Sequence, residues 1–135
     1  MPTAFVSVSY AHQRALSTEL DAIAAVLSAH SITPHIFVRA YTFAPDDAQA
    51  MMAAALRDLR AADLLIAEVT HKAIGVGVEV GMAAALGKPV VYARHAGAEP
   101  STTVGGLAAV TITYRDAADL RAQLSAALAR GLIPR

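Results

Sequence analysis

The sequence predicts a three-layer, doubly wound α/β domain, with about five parallel strands and helices on both faces of the sheet. Three observations predict it. Short β-rich runs alternate with alanine-rich helical patterns along all 135 residues. The run "DLLIAEV" (63–69) is almost continuously apolar, as a strand covered on both faces should be. No internal repeat, low-complexity tract or linker divides the chain, so residues 1–135 are expected to form one domain.

Each element has its own signal. "TAFVSVS" (3–9) has the β-branched and aromatic content of a first strand. From Arg14 to Ala29, Leu16, Leu20, Ile23 and Leu27 recur at helical spacing and form one apolar stripe. "PHIFVRA" (34–40) reads as the second strand. Pro45, Asp46 and Asp47 open the next helix, since proline fits a first turn and acids favour its positive end. Met52, Leu56 and Leu59 form that helix's inner face. After the third strand a glycine turn enters "EVGMAAALG", a helix stopped by Gly87 and Pro89. "PVVYAR" (89–94) is the fourth strand, 95–106 a loop, and "LAAVTITY" (107–114) the fifth strand. Asp116 to Arg130 is a closing helix with Leu120, Leu124 and Leu128 in register.

Such an order requires right-handed crossovers and a parallel, Rossmann-like sheet. Ligands in these folds sit beyond the carboxyl ends of the strands, where the strand order switches. That rule gathers Ser9–Tyr10, Thr70–Gly77 and His95–Gly106 around one rim.

Composition narrows the function. Apolar residues make up 56% of the chain and charged residues 16%, which excludes a disordered polymer. Eleven acidic and 11 basic residues cancel, so neither a nucleic acid nor an anionic membrane is an expected partner. A weakly charged surface favours self-association. The absence of cysteine removes disulfides, thiolate catalysis and Cys-based zinc sites. His12, His30 and His35 lack metal-ligand spacing, so no metal is expected. With no span-length apolar run and no signal-peptide pattern at the start, a cytoplasmic protein is the expectation.

The most informative stretch is "IAEVTHKAIGVGVEVG" (66–81), where one acid, Glu79, stands between glycines. A glutamate at a helix start can simply complement the helix dipole, by ~0.3–1 kcal/mol. The spacing Gly75-x-Gly77-x-x-x-Gly81 is not the dinucleotide fingerprint, and no phosphate-loop Gly-Lys-Ser/Thr occurs.

The longer segment "ADLLIAEVTHKAIGVGVEVGMAAALGKPVVY" resembles the signature region of the nucleoside 2-deoxyribosyltransferase superfamily, and within it the 2′-deoxynucleoside 5′-monophosphate N-glycosidases. The resemblance implies an enzyme that breaks the N-glycosidic bond of a nucleoside or its 5′-monophosphate, by hydrolysis or deoxyribosyl transfer, with no cofactor. It implies that Glu79 is the nucleophile, trapping the sugar C1′ as a covalent glycosyl–enzyme. Gly75 and Gly77 would let the sugar approach the backbone. Ser9 and Tyr10 correspond to the floor of the sugar pocket. Ser101, with Thr102 beside it, corresponds to a loop that reaches the neighbouring subunit's site, which implies a homodimer or a dimer of dimers.

Two family positions depart. Ala55 stands where relatives carry an aspartate, and Ala73 where they carry serine or aspartate, so two polar contacts are gone. Asp58 lies three residues beyond Ala55. His71, at the mouth of the third strand, is the candidate general acid for the leaving base, and His95 is placed similarly. Glu68 is either a buried partner of the site or points outward at a strand end. Two alternatives stand beside the enzyme: a weakened nucleotide-binding module of the same fold, and a NAD-cleaving signalling domain, which also begins with a strand followed by Ser-Tyr.

Overall fold

Side-chain alternation on the first strand fixes the layers. In the computed structural model, which describes residues 1–133, β1 (Thr3–Val8) is buried from Ala4 to Val8 and sends its side chains alternately to two cores. Ala4, Val6 and Val8 pack with the inner faces of α1 (Ser17–Ala29) and α6 (Ala117–Ala129). Phe5 packs on the other side, with α3 (Ala48–Ala61) and α4 (Ile74–Ala85). Both faces of the sheet are therefore covered, as the apolar strands require.

The remaining strands, β2 (Thr33–Ile36), β3 (Leu64–Glu68), β4 (Val90–His95) and β5 (Val110–Tyr114), join β1 in one parallel sheet of order β2-β1-β3-β4-β5. All five residues of β3 are buried, which makes it the centre of the fold. The order reverses between β1 and β3, and the crevice expected of a doubly wound sheet opens there.

Several boundaries differ from the sequence reading, among them the start of α3, which leaves Pro45, Asp46 and Asp47 ahead of the helix. The second strand stops at Ile36, because Phe37–Ala40 forms a helical turn, α2, that lays Phe37 against Phe5 with ring centroids 5.5 Å apart. An apolar run this short cannot distinguish a strand from such a turn. The stretch 95–106 is not all loop: Thr102–Leu107 forms α5, whose buried anchor is Val104. Because α5 uses Leu107, the fifth strand starts only at Val110. Most consequential, α4 already begins at Ile74, so Gly75, Gly77 and Gly81 are helical and make no turn. Glu79 then sits in the second turn of α4, not in the first. Gly87 does end the helix with a left-handed φ of 73°, as expected.

A buried acid fastens the carboxyl end of the sheet. Glu68 is fully buried and accepts bonds from the Thr70 N–H and hydroxyl, both 2.7 Å, and from the Tyr114 hydroxyl. The Thr70 hydroxyl also accepts the His95 N–H at 2.9 Å, so the ends of β3, β4 and β5 share one network. Burial, together with Glu68 as its acceptor, raises the Tyr114 pKa and keeps the phenol protonated. Glu68 follows Leu64 and Ile66 onto the α1/α6 face, away from α4. Tyr114→Phe should cost about 1.5–3 kcal/mol in urea unfolding, the usual loss for a hydrogen bond to a charged group; an unchanged midpoint would mean that the network does not hold the sheet end.

Candidate active site

A cavity of about 710 Å³ opens at the carboxyl end of β1, at the switch in strand order. Ser9 and Tyr10 line it. One wall is aromatic: Phe37, Tyr41 and Phe43 stand in series, with centroid separations of 5.1 Å (Phe37–Tyr41) and 5.5 Å (Tyr41–Phe43). Met51 and Met52 of α3 also line it. The first turns of α4 close it with Ala73, Gly75 and Glu79. Among the described residues, Glu79 is the one carboxylate lining the cavity, and no histidine, lysine or arginine does. A shallower depression of about 430 Å³ lies beside Gly87–Pro89 and carries only Lys88 as a charged group.

Glu79 is held by the sheet. Its Oε1 accepts the Ser7 hydroxyl at 2.5 Å, across the packing of α4 on β1. Ser7 is buried and leaves β1 on the same face as Phe5. Burial raises the Glu79 pKa above the ordinary carboxylate value, and the Ser7 bond offsets this only in part. The second oxygen, Oε2, makes no hydrogen bond among the described residues.

The aromatic wall has its own support. Asp58 accepts the Tyr41 hydroxyl at 2.8 Å, His35 Nε2–H at 2.9 Å and Arg57 Nε–H at 3.1 Å. Burial works against the Asp58 charge, but the bonds from Tyr41, His35 and Arg57 outweigh it and leave the carboxyl below its usual range. Asp58 thus pins Tyr41 from behind and is not itself part of the cavity lining.

The other expected residues divide. Gly75 lines the cavity; Gly77 does not, and a Cβ at either would meet nothing within 4 Å. Ser9 is buried, and its hydroxyl lies 2.9 Å from His12 Nδ1. His71 is outside the lining; its ring stacks on His12 at 3.8 Å, the planes 8° apart. His95 also lies outside it, bonded to the Arg115 carbonyl. Ser101 caps α5, accepting the Val104 N–H at 3.2 Å, while its own N–H donates to the Tyr92 hydroxyl at 2.8 Å. Neither Ser101 nor Thr102 lines this chain's cavity.

With this geometry fixed, similarity to known proteins is informative. The sequence model of the nucleoside 2-deoxyribosyltransferase family matches residues 7–110. The chain is 36% identical over 123 residues to a protein of Syntrophotalea carbinolica assigned by name as a 2′-deoxynucleoside 5′-phosphate N-hydrolase, a match covering 85% of this chain and 81% of that one. The chain belongs to the nucleoside 2-deoxyribosyltransferase family. A mouse 5-hydroxymethyl-dUMP N-hydrolase is 58% identical over 33 residues, which is 24% of this chain and 19% of the mouse protein. Two solved structures share the fold. A CMP N-glycosidase of Clostridium botulinum superposes with a TM-score of 0.69 over 93% of this chain and 98% of its own, at 18% identity. A 2-deoxyribosyltransferase of Bacillus psychrosaccharolyticus gives 0.70 over 88% and 90%, at 15% identity.

Within this family member the two alanine departures have clear places. Ala55 is buried under α3 in the core, and Asp58 does not take its place because it is engaged with Tyr41. Ala73 precedes α4 and lines the cavity without offering a polar atom from its side chain. The residues that sequence reading missed are Ser7, the aromatic wall and the two methionines. Ser7 and Ser9 carried a signal: two hydroxyls at i, i+2 share one face at the carboxyl end of a largely apolar strand.

The raised Glu79 pKa makes a signed prediction. A carboxyl raised on folding adds stability below its unfolded pKa and loses it as pH climbs through the raised value. Glu79→Gln keeps an oxygen for Ser7 but never ionises. Its melting temperature should match wild type in acid, below the ordinary glutamate value of about 4.3, and exceed it at neutral pH. A difference independent of pH would contradict the buried charge.

Proposed function

We propose that this protein cleaves the N-glycosidic bond of a nucleoside or (deoxy)nucleoside 5′-monophosphate, by hydrolysis or by deoxyribosyl transfer. The observation that carries the reading is Glu79: one carboxylate in an aromatic-walled cavity, bonded to Ser7 through one oxygen, with the other free. A flat base finds a stacking surface on Phe37, Tyr41 and Phe43, and such aromatic pairs are worth about 0.5–1.5 kcal/mol beyond their buried area. The sugar then faces α4. As the C1′–N bond lengthens, positive charge grows on C1′, and the free Glu79 oxygen attacks it to give a glycosyl–enzyme ester. Water or a second base completes the cycle. The single Ser7 bond suits this role, because it orients the carboxylate without quenching it.

The name of the Syntrophotalea relative supports hydrolysis of a 5′-phosphorylated substrate, and the family description supports transfer. The protein works as a homodimer in this reading. Ile74 and Val78 on the outer face of α4 are 89% and 43% exposed, an apolar surface that a second copy would cover beside the site. A binding module without turnover is the second reading, favoured by Ala55 and Ala73.

Purified protein incubated with nucleosides, deoxynucleosides and their 5′-monophosphates should release free base, detected by chromatography. Glu79→Ala should lower that release by at least ~10³-fold, the order seen when a nucleophile is removed. Ligand-dependent stabilisation with no base released from any substrate would establish the binding module instead. Phe43→Ala should raise KM by about 3–10-fold with kcat little changed, since stacking on the base acts before the transition state.

A further inference from the structure

The leaving base needs a proton, and among the described residues the cavity lining holds no imidazole, ammonium or guanidinium to supply one. Apart from Glu79, which the proposed nucleophilic role consumes, its polar side-chain lining is hydroxyl only: Ser9, Tyr10 and Tyr41. The Tyr41 hydroxyl is committed to Asp58 and Arg57, and Tyr10 is 68% exposed. Ser9 differs from both. It is 4% exposed, faces the cavity, and has an imidazole behind it, His12 Nδ1 at 2.9 Å. The backbone fixes that pair: the helical turn Tyr10–His12 closes with the His12 N–H on the Ser9 carbonyl at 3.1 Å. The His12 ring is clamped in plane by His71, stacked at 3.8 Å.

Resting on the glycosidic reading above, we infer that Ser9 and His12 form the proton relay of this site, with Ser9 touching the leaving base and His12 supplying the proton through it. In the first step, protonated His12 gives its Nδ1 proton to Ser9 Oγ while the Ser9 hydroxyl proton passes to the base nitrogen. The C1′–N electron pair leaves with the base, and Glu79 forms the new bond to C1′. In the second step, water attacks C1′ and the Glu79 ester breaks. The water's proton returns through Ser9 to His12, so the enzyme ends as it began and the net reaction is hydrolysis. His71 is a positioning residue here: it holds the His12 plane and reaches the base only through that ring. The relay supplies from β1 and its following turn a donor that neither Ala55 nor Ala73 can provide.

The test uses leaving groups that do and do not need a proton. An N7-methylated purine nucleoside, or its 5′-monophosphate, already carries the positive charge that protonation would create; the unmethylated compound is its pair. Ser9→Ala and His12→Asn should each lower kcat on the unmethylated substrate by about 10²–10⁴-fold, the worth of a general acid. On the methylated substrate each should lose less than about tenfold. His12→Asn retains an N–H for Ser9 but has no transferable proton, so its loss separates proton supply from structural support. His71→Phe keeps a stacked ring and should lose less than either.

Equal losses on both substrates, or none on the unmethylated one while Glu79→Ala abolishes release, would overturn the relay and leave the glycosidase standing. No base from wild type on either substrate would overturn both.

Discussion

The bond between Ser7 and Glu79 joins the first strand to the fourth helix, and the geometry of the cavity follows from it. A glutamate on a helix packed over a sheet has a long, flexible side chain and would ordinarily reach for solvent. Here it is drawn inward by a hydroxyl on the neighbouring strand, at the point where the crossovers diverge. The cost is a carboxylate partly deprived of water, visible in its raised pKa. Such a charge is tolerated because the cavity stays open beside it. The same desolvation strengthens the attraction of the free oxygen for a developing cation, so the strain on the folded state and the reactivity in the proposed step have one origin.

The glycines of α4 make sense in the same terms. None of Gly75, Gly77 or Gly81 has a positive φ, so the backbone does not need them. Each costs a helix interior roughly 0.5–1 kcal/mol relative to alanine. No atom of this chain would obstruct a Cβ at any of the three. What they provide is clearance on a helix that borders the cavity with Gly75 and presents apolar residues outward with Ile74 and Val78. A sequence reading sees "GVGVEVG" and expects a turn, because glycine most often marks one. The turn is made instead by Thr70–Ala73, and the helix that follows buries Val76, Val80 and Ala83 while Ile74 stays exposed.

What was legible in the sequence follows that distinction. The five strands and their parallel direction could be read because alternation and apolar runs are local signals with fixed periods; of the expected rim, 95–106 does not line the cavity. Glu79 stood out as a lone acid among glycines, and its proposed role came from the family resemblance. The aromatic wall could not: Phe37, Tyr41 and Phe43 are spaced for neither helix nor strand, and they converge only because Phe37–Ala40 turns back over Phe5. Met52 and Leu56 were read with Leu59 as the helix's inner face, yet the helix buries Ala54, Ala55 and Leu59, and Met51 and Met52 line the cavity. Ser101 was legible as a loop serine and is occupied as a helix cap. Tertiary contacts at long sequence separation decided each of these.

Two glutamates, Glu68 and Glu79, lie on opposite faces of one sheet end, and the count of their partners distinguishes them. An ionised carboxylate has about four acceptor positions. Glu68 fills three of them, with the Thr70 N–H, the Thr70 hydroxyl and the Tyr114 hydroxyl, and it is sealed from solvent. A carboxylate so satisfied has little left to offer a substrate, and its chemistry is to hold three strands together. Glu79 fills one, with Ser7, and borders open space. By sequence alone Glu68 is the odder residue, a charge within an apolar strand, and invites a functional role. Counting hydrogen bonds reverses that order and favours Glu79 for the proposed step, because its lone pairs are the ones the fold leaves unspent.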